Sequence, residues 1–467
     1  MPFCGFDARR SPSVTPPDPL HCPTSPMRHP LALLSACILA AAVLTYVVPA
    51  GQFERRDDPK TGRKVVVAGS YHRVDPSPVD PFEALVAVPK GIIDAAGVLA
   101  MVFMAGAAVS VVDKTGALRG GVGWLATRLA RRKTLIIPAA CVVFAAAGAA
   151  QGLWEEVIAL MPVLLVLTRG VGFDPLTAVS MSLGAAGIGS TFSPMNPFGV
   201  GIAQRFAELP ILSGWPFRLA VLVPAVAFWA WATIRHARQS RTTVGGPAEV
   251  PEIMTRRHGL VLATMAAASA TFVFGVVNFG WGFEEMAGVF LALGLAAGVV
   301  GGLSIAGTFQ AISEGFTTMT FAAILIGVAR GVFVVLDEGK IVDTIINALV
   351  TPLAQLPVAL YAMGISVMQT LLAVPVPSSS GRVTLTLPIL VPLSDLLGLS
   401  RQATVTATQY GPGIVGQFLP TDGALMAVLA VAGVRFERWL KFCLPVCAVL
   451  FVYGLAAVAL AAFLNVQ

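Results

Sequence analysis

Apolar runs of about twenty residues, set apart by short polar stretches, recur from residue 31 to the C-terminus. Hydrocarbon offers no partner to a backbone N–H or C=O, so a chain that crosses it must pair those groups internally, as helices or as a closed barrel. Runs of this length suit helices, because about twenty residues at 1.5 Å each cover the ~30 Å apolar core. Charged residues are 12% of the 467, about half the share found in soluble domains. The sequence therefore predicts an all-α polytopic membrane protein.

The informative places are those where an apolar run stops too soon. Thr134–Ala150 and Val157–Thr168 are each short of a full crossing, and Gln151–Glu156 lies between them. Val358–Val374 and Val383–Leu397 likewise flank Pro375–Arg382. Both read as re-entrant hairpins, which survive at membrane depth only where protein or water satisfies the tip. Leu176–Gly189 with Phe198–Phe206, and Ala403–Val415 with Ala424–Val431, read as helices broken in the middle. With about nine transmembrane helices, two hairpins and two broken helices, the chain divides as follows. Residues 1–28 form a disordered, proline-rich start (Met27 is an alternative first residue). Residues 29–81 are a first transmembrane helix, Leu31–Val48, and an external loop in which Lys64–Ala68 forms a short strand. Transport repeat 1 covers 82–235, a linker with two connecting helices 236–308, and transport repeat 2 309–467. Repeat 1 starts with an amphipathic approach, Phe82–Lys90, and a span over Ile92–Val112, followed by a basic interfacial helix over Ala117–Lys133. In repeat 2 the matching span is Phe321–Leu336.

Pro162 and Pro388 stand 226 positions apart, and the same offset maps Lys114 onto Lys340, Gly187 onto Gly413, Pro194 onto Pro420 and Asn196 onto Asp422. It also places Gln151–Glu156 on Pro377–Arg382. An odd number of crossings separates the two copies, so they are inverted relative to each other, the architecture of secondary transporters with a site at the repeat interface. Segments 113–133, 235–257 and 433–441 are rich in Arg and Lys, which predicts a cytoplasmic N-terminus and a periplasmic C-terminus. The net charge of +6 follows from such loops and does not indicate a nucleic-acid partner.

At a break, half-helix N-termini offer free N–H groups to an anion, and carbonyls at the opposite ends can hold a cation. Gly189 and Gly413 permit close approach. Ser190, Thr191, Ser193, Asn196, Ser378, Ser379, Ser380, Thr421 and Asp422 supply small polar ligands; taken singly, each hydroxyl has an ordinary alternative in bonding its own helix. Glu155 and Glu156 bring two acids to the first hairpin tip, where an ionisable group is a functional candidate; they suit proton coupling, a cation partner, or a tip shallow enough to be wet. Arg382 holds the equivalent place in the second hairpin. It can clamp a substrate carboxylate or pair with Glu156 or Asp422. Gln369 and Gln409 are further polar linings.

Other chemistries lack residues to carry them. The six cysteines include no C-x-x-C, and Cys443 and Cys447 read as small apolar residues on one helix face. Gly411–Gly416 spells G-x-G-x-x-G without a preceding strand and with Pro412 inside it, so it is a helix break and not a dinucleotide motif. There is no Walker A, H-E-x-x-H or G-x-S-x-G. No cofactor is expected beyond a coupling H⁺ or Na⁺.

Val48-Pro-Ala-Gly-Gln-Phe53, Trp154-Glu-Glu156, Ser193-Pro-Met-Asn-Pro-Phe198 with Gly201-Ile-Ala-Gln204, Ser213-Gly214 before Arg218, Val376-Pro-Ser378 and Leu419-Pro-Thr421 resemble the YfcC family, grouped with the anaerobic C4-dicarboxylate carriers of the ion-transporter superfamily. The resemblance covers nearly the whole chain from about residue 28. It implies a secondary carrier of the bacterial inner membrane for small carboxylates or amino acids, commonly a homodimer; members are often labelled basic amino-acid antiporters. The chain departs from the family at Pro377-Ser-Ser-Ser-Gly-Arg382, usually Pro-Ser-Gly-Ser-Gly-Gln. It departs again at Gly411-Pro-Gly413 and Pro420-Thr-Asp-Gly423, usually Gly-Asp-Gly and Pro-Thr-Ser-Gly. An added arginine and a moved acid suggest that Arg382 and Asp422 changed as a pair, which an Arg382→Asp, Asp422→Arg exchange would reveal by restoring transport. The expected function is ion-coupled symport or exchange of an anionic or zwitterionic substrate. The alternatives are a channel-like facilitator and a membrane-embedded enzyme or sensor.

Overall fold

The computed structural model describes residues 30–58, 63–121, 135–210, 212–240, 254–279 and 281–466. The expected disordered start, most of the basic interfacial helix and the linker around Gly245 lie outside the described residues. Among those described, six helices are long and apolar enough to cross a membrane: Pro30–Val47, Ala96–Lys114, Trp215–Gln239, Phe283–Gly301, Ile305–Glu338 and Phe436–Phe463. The chain is a multi-pass helical membrane protein with almost no strand. The few strands sit in the loop after the first helix, where Arg63–Val66 pairs antiparallel with Arg55–Asp58. The buried Asp343 of the helix Val342–Val350 pins that loop, accepting from the Phe53 N–H at 3.0 Å and the Arg55 guanidinium at 2.9 Å.

Both hairpins and both broken helices form. The first hairpin joins Ile136–Gln151 to Val157–Val171, and the second joins Val358–Leu372 to Ser379–Leu397. The repeat is visible in the caps. Gly172 (φ 87°) and Gly398 (φ 75°), 226 apart, both follow a hairpin in the left-handed region that glycine adopts without strain. Two residues on, Asp174 and Ser400 each cap the following helix, accepting from Thr177 N–H and Ala403 N–H. Beyond the breaks, the segment Pro197–Phe206 and the helix Gly423–Ala432 correspond end to end.

The copies differ where the expected boundaries were drawn too simply. In repeat 1 the approach is a full helix, Pro81–Asp94, separated at Ala95 from Ala96–Lys114. In repeat 2 the equivalent is one helix of 34 residues, Ile305–Glu338, so the span is not confined to Phe321–Leu336. Pro89 removes one N–H from the ladder inside Pro81–Asp94 without ending that helix, while the equivalent Gly315 keeps its N–H. Gly411 and Pro412 only kink the second broken helix, between Arg401–Tyr410 and Pro412–Gly416. The true gap runs from Gln417 to Asp422.

A polar clasp joins three elements of this frame. Asp174 meets His236 at 3.2 Å and Arg438 at 2.9 Å, tying the turn after the first hairpin to Trp215–Gln239 and Phe436–Phe463. Burial alone would raise its carboxyl, but the bonds from His236 and Thr177 outweigh this and hold it at about 2. The folded value lies below the unfolded ~3.9, so the stabilisation is complete above about pH 4 and fades as pH falls toward 2. Asp174→Asn is expected to lower stability at neutral pH by about 1–3 kcal/mol. Thermal unfolding of detergent-solubilised protein checks this: the gap between variant and parent should narrow with acidification, and an equal gap throughout would contradict it.

Candidate functional site

The two hairpin tips and the two breaks bound one cavity of about 460 Å³. Each wall follows from local sequence. Gly152 (φ 71°) ends the first arm in a left-handed cap, and the chain turns back through Trp154, Glu155 and Glu156. Glu156 is 6% exposed and accepts from the Trp154 N–H at 2.9 Å. At the other hairpin Ser378 caps the returning helix through the Gly381 N–H, and Ser379 and Ser380 occupy its first turn. Arg382, 5% exposed, donates from Nη1 to the carbonyls of Val376 at 2.6 Å and Pro377 at 2.8 Å. It thereby ties down its own hairpin tip. Among the described residues it forms no salt bridge, so the pairing with Glu156 or Asp422 left open above is not made in this conformation.

The breaks close the cavity with matching devices. The Asn196 side-chain oxygen accepts from Phe198 N–H and Gly199 N–H, and its amide donates to Ser190 Oγ at 2.6 Å. At the equivalent place Asp422 Oδ1 accepts from Leu425 N–H, and also from the Trp154 indole N–H at 3.1 Å. The indole thus links the first hairpin to the second break. A Cβ at Gly187 would overlap Gln417 and Trp154, and one at Gly413 would overlap Thr191. Since Gln417 is the repeat partner of Thr191 and Gly413 that of Gly187, these contacts are reciprocal, as a two-fold axis between the halves requires. Glu155, Asp422 and Arg382 lie within electrostatic reach of one another through Asp422.

Of the residues singled out from the sequence, Glu155, Glu156, Ser190, Thr191, Asn196, Ser378, Ser379, Ser380, Arg382, Gly413, Thr421 and Asp422 line this cavity. Gly189 and Ser193 do not. A Cβ at Gly189 would overlap the Ala145 carbonyl, so this glycine serves the crossing of broken helix and hairpin. Ser193 is fully buried, donating to the Ala149 carbonyl at 2.6 Å and accepting from Met195 N–H and Asn196 N–H. Gln369 is also away from the cavity, where it donates to Thr386 within the second hairpin at 2.6 Å. Gln409 does line it, and its amide braces the Ser190 carbonyl at 2.9 Å.

Sequence reasoning missed four residues here. Trp154 stood inside a quoted motif, and its indole N–H, a polar group on a turn at membrane depth, was the available signal. Asp94 and Arg330 line the cavity and form an ion pair between Pro81–Asp94 and the long helix; both are charges inside apolar runs, which was signal enough to examine them. Arg218 belongs with these as a support. It is 0% exposed and holds the carbonyls of Pro194 and Ser213, bracing the first break from behind.

Comparison with known proteins bears on the whole chain. The family model described as C4-dicarboxylate anaerobic carrier (DcuC) matches residues 27–463. An Escherichia coli (strain K12) protein, YfcC, named for basic amino acid antiport, is 30% identical over 464 residues, covering 88% of this chain and 91% of its own. An uncharacterized Haemophilus influenzae protein is 28% identical over 410 residues, covering 84% of this chain and 80% of its own. Among solved structures, the YdaH transporter of Alcanivorax borkumensis aligns over 93% of this chain and 98% of its own at 16% identity, with a TM-score of 0.46. A membrane chain matched by one carrier-family model over nearly its entire length is a transporter of that family: it belongs to the C4-dicarboxylate anaerobic carriers.

Proposed function

We propose that this chain is a secondary active carrier of small carboxylates or amino acids in the bacterial inner membrane, driven by a proton or sodium gradient or by exchange. The observation that carries this reading is the mixed charge of the cavity. Arg382 stands on one hairpin tip, Glu155 and Glu156 stand on the other, and Asp422 lies at a break between them. With Arg330 already paired to Asp94, the carboxylates outnumber the remaining guanidinium among the described residues that line the cavity. A zwitterion with an ammonium group suits that balance better than a dianion, which meets like charge on the side of the first hairpin. The name of the E. coli relative points the same way. A homodimer with a cytoplasmic N-terminus and a periplasmic C-terminus completes the proposal.

Uptake into proteoliposomes, with and without a pH or sodium gradient, tests it over dicarboxylates, fatty acids and amino acids. Expected is accumulation of an amino acid above its external concentration under one of the gradients or against internal counter-substrate. Downhill flux alone under every condition would favour a facilitator and contradict active transport.

A further inference from the structure

Arg218 is fully buried in the first turn of Trp215–Gln239 and does not line the transport cavity. Its Nη2 donates to the carbonyls of Pro194 at 3.2 Å and Ser213 at 2.6 Å. Nε and Nη1 are buried as well, and among the described residues no acceptor meets them. No carboxylate among those residues pairs with Arg218; Glu208 and Asp395 are held by Arg401. The ionisable group within electrostatic reach is Tyr410, whose hydroxyl is also enclosed and without a partner. Tyr410 ends the helix Arg401–Tyr410, with its ring packed on Phe192 at 4.9 Å between centroids. A cation from one half of the molecule and a hydroxyl from the other thus share an enclosed region behind the first break.

Buried donors without acceptors cost free energy, and a buried charge without a counter-charge costs more. A water would serve the hydrogen bonds, including that of Gln402 Oε1, which has no partner and whose amide shares Ser213 with Arg218. Water leaves the charge uncompensated; an anion answers both. We infer that a small monovalent anion of the halide class binds between the Arg218 guanidinium and the Tyr410 hydroxyl. The single guanidinium sets the charge at minus one. Enclosure sets the size: with Arg218 0% and Tyr410 1% exposed, the site selects a monatomic ion over a carboxylate that carries a chain. The ion joins the first break, through Arg218 and Pro194, to the second broken helix, through Tyr410. It is a structural ion of the fold, separate from substrate and coupling cation.

Thermal unfolding reads this without any transport assay, so its outcome is independent of the carrier reading. Protein in lipid nanodiscs is exchanged into sodium gluconate and titrated with sodium chloride or sodium bromide at constant ionic strength. Expected is a saturable rise in the unfolding temperature with both halides. Tyr410→Phe keeps the ring on Phe192 and removes only the hydroxyl. It should raise the half-saturating concentration by about ten- to one-hundred-fold, the loss of one hydrogen bond to a charged group. In gluconate alone it should unfold no earlier than the parent. Arg218→Met should abolish the response; if that variant does not fold, Tyr410→Phe decides alone. Halide that survives the exchange is counted by ion chromatography after denaturation, and one ion per chain supports the site as a response does. A parent that neither responds nor retains halide would replace the ion by water, and a response undiminished in Tyr410→Phe would equally overturn the proposal.

Discussion

Gly189→Val and Gly148→Val are each expected to abolish the folded protein, leaving no monodisperse species after detergent extraction. The two glycines sit one on each side where the first hairpin arm crosses the first broken helix, each against an alanine of the other helix. A Cβ on Gly148 would overlap the Ala186 carbonyl, and one on Gly189 would overlap the Ala145 carbonyl. Both obstacles are backbone, so no side chain can rotate away. The helices would have to separate, and in a membrane close backbone approach is itself what holds helices together. Overpacking in a tight core costs about 1–3 kcal/mol even when side chains can yield; here they cannot, and the loss exceeds that range. Gly398→Ala is the contrast. Its φ is 75°, but nothing lies within 4 Å of the added Cβ, so only the left-handed strain of about 1–2 kcal/mol applies. Size-exclusion profiles of the three variants check the contrast, and a Gly189→Val protein as well behaved as Gly398→Ala would contradict the packing.

Asp422→Asn is expected to leave the fold intact and cut accumulation of substrate by about ten- to one-hundred-fold, the equivalent of losing one charged hydrogen bond of 1.5–3 kcal/mol. The fold survives because asparagine can accept the same bonds from Leu425 N–H and the Trp154 indole. Repeat 1 already uses this arrangement: Asn196 accepts from Gly199 N–H at the equivalent position. Only the charge is removed. The structure also reverses the expectation for the Arg382→Asp, Asp422→Arg exchange. Arg382 holds the Val376 and Pro377 carbonyls, which an aspartate cannot do, and an arginine at 422 cannot cap Gly423–Ala432. The double variant should stay inactive. Gradient-driven uptake by the single and double variants, normalised to folded protein, measures both effects. Restored transport in the double variant would show a direct pair that this geometry does not contain.

Much of this was readable before any coordinates, for physical reasons. A proline or a run of small polar residues inside an apolar segment is costly in lipid, so Gln151–Glu156, Pro375–Arg382 and the stretches between Gly189 and Phe198 and between Val415 and Ala424 mark places where a helix is interrupted. The offset between repeats then pairs them. What lay beyond reach was direction and long-range partnership. Ser190 and Ser193 look alike in sequence, yet the end of the helix at Thr191 lies between a cavity-lining hydroxyl and one bonded to the Ala149 carbonyl. Trp154 and Asp422 are 268 positions apart, and Asp94 and Arg330 are 236 apart. No local pattern announces such pairs; they exist because the hairpin tip and the interrupted helix are carried to the same place by packing. Arg382 left two readings open, a clamp for a substrate carboxylate or half of an ion pair, and sequence could not foresee that backbone carbonyls at its own hairpin tip would be its acceptors.

The central claim is that both hairpins and both breaks form one site exposed alternately to the two sides of the membrane. Its most direct test is solute protection of single cysteines, Ser190→Cys at the first break and Ser379→Cys at the second hairpin, in a background with the native cysteines replaced. A membrane-impermeant thiol reagent is applied from one side and then from the other, with and without the substrate found by uptake. Expected is labelling of both positions, slowed by the same substrate over the same concentration range, with a counter-substrate on the far side shifting which face is reactive. Protection of one position without the other, or full reactivity of both from both sides at once, would contradict a single occluded site.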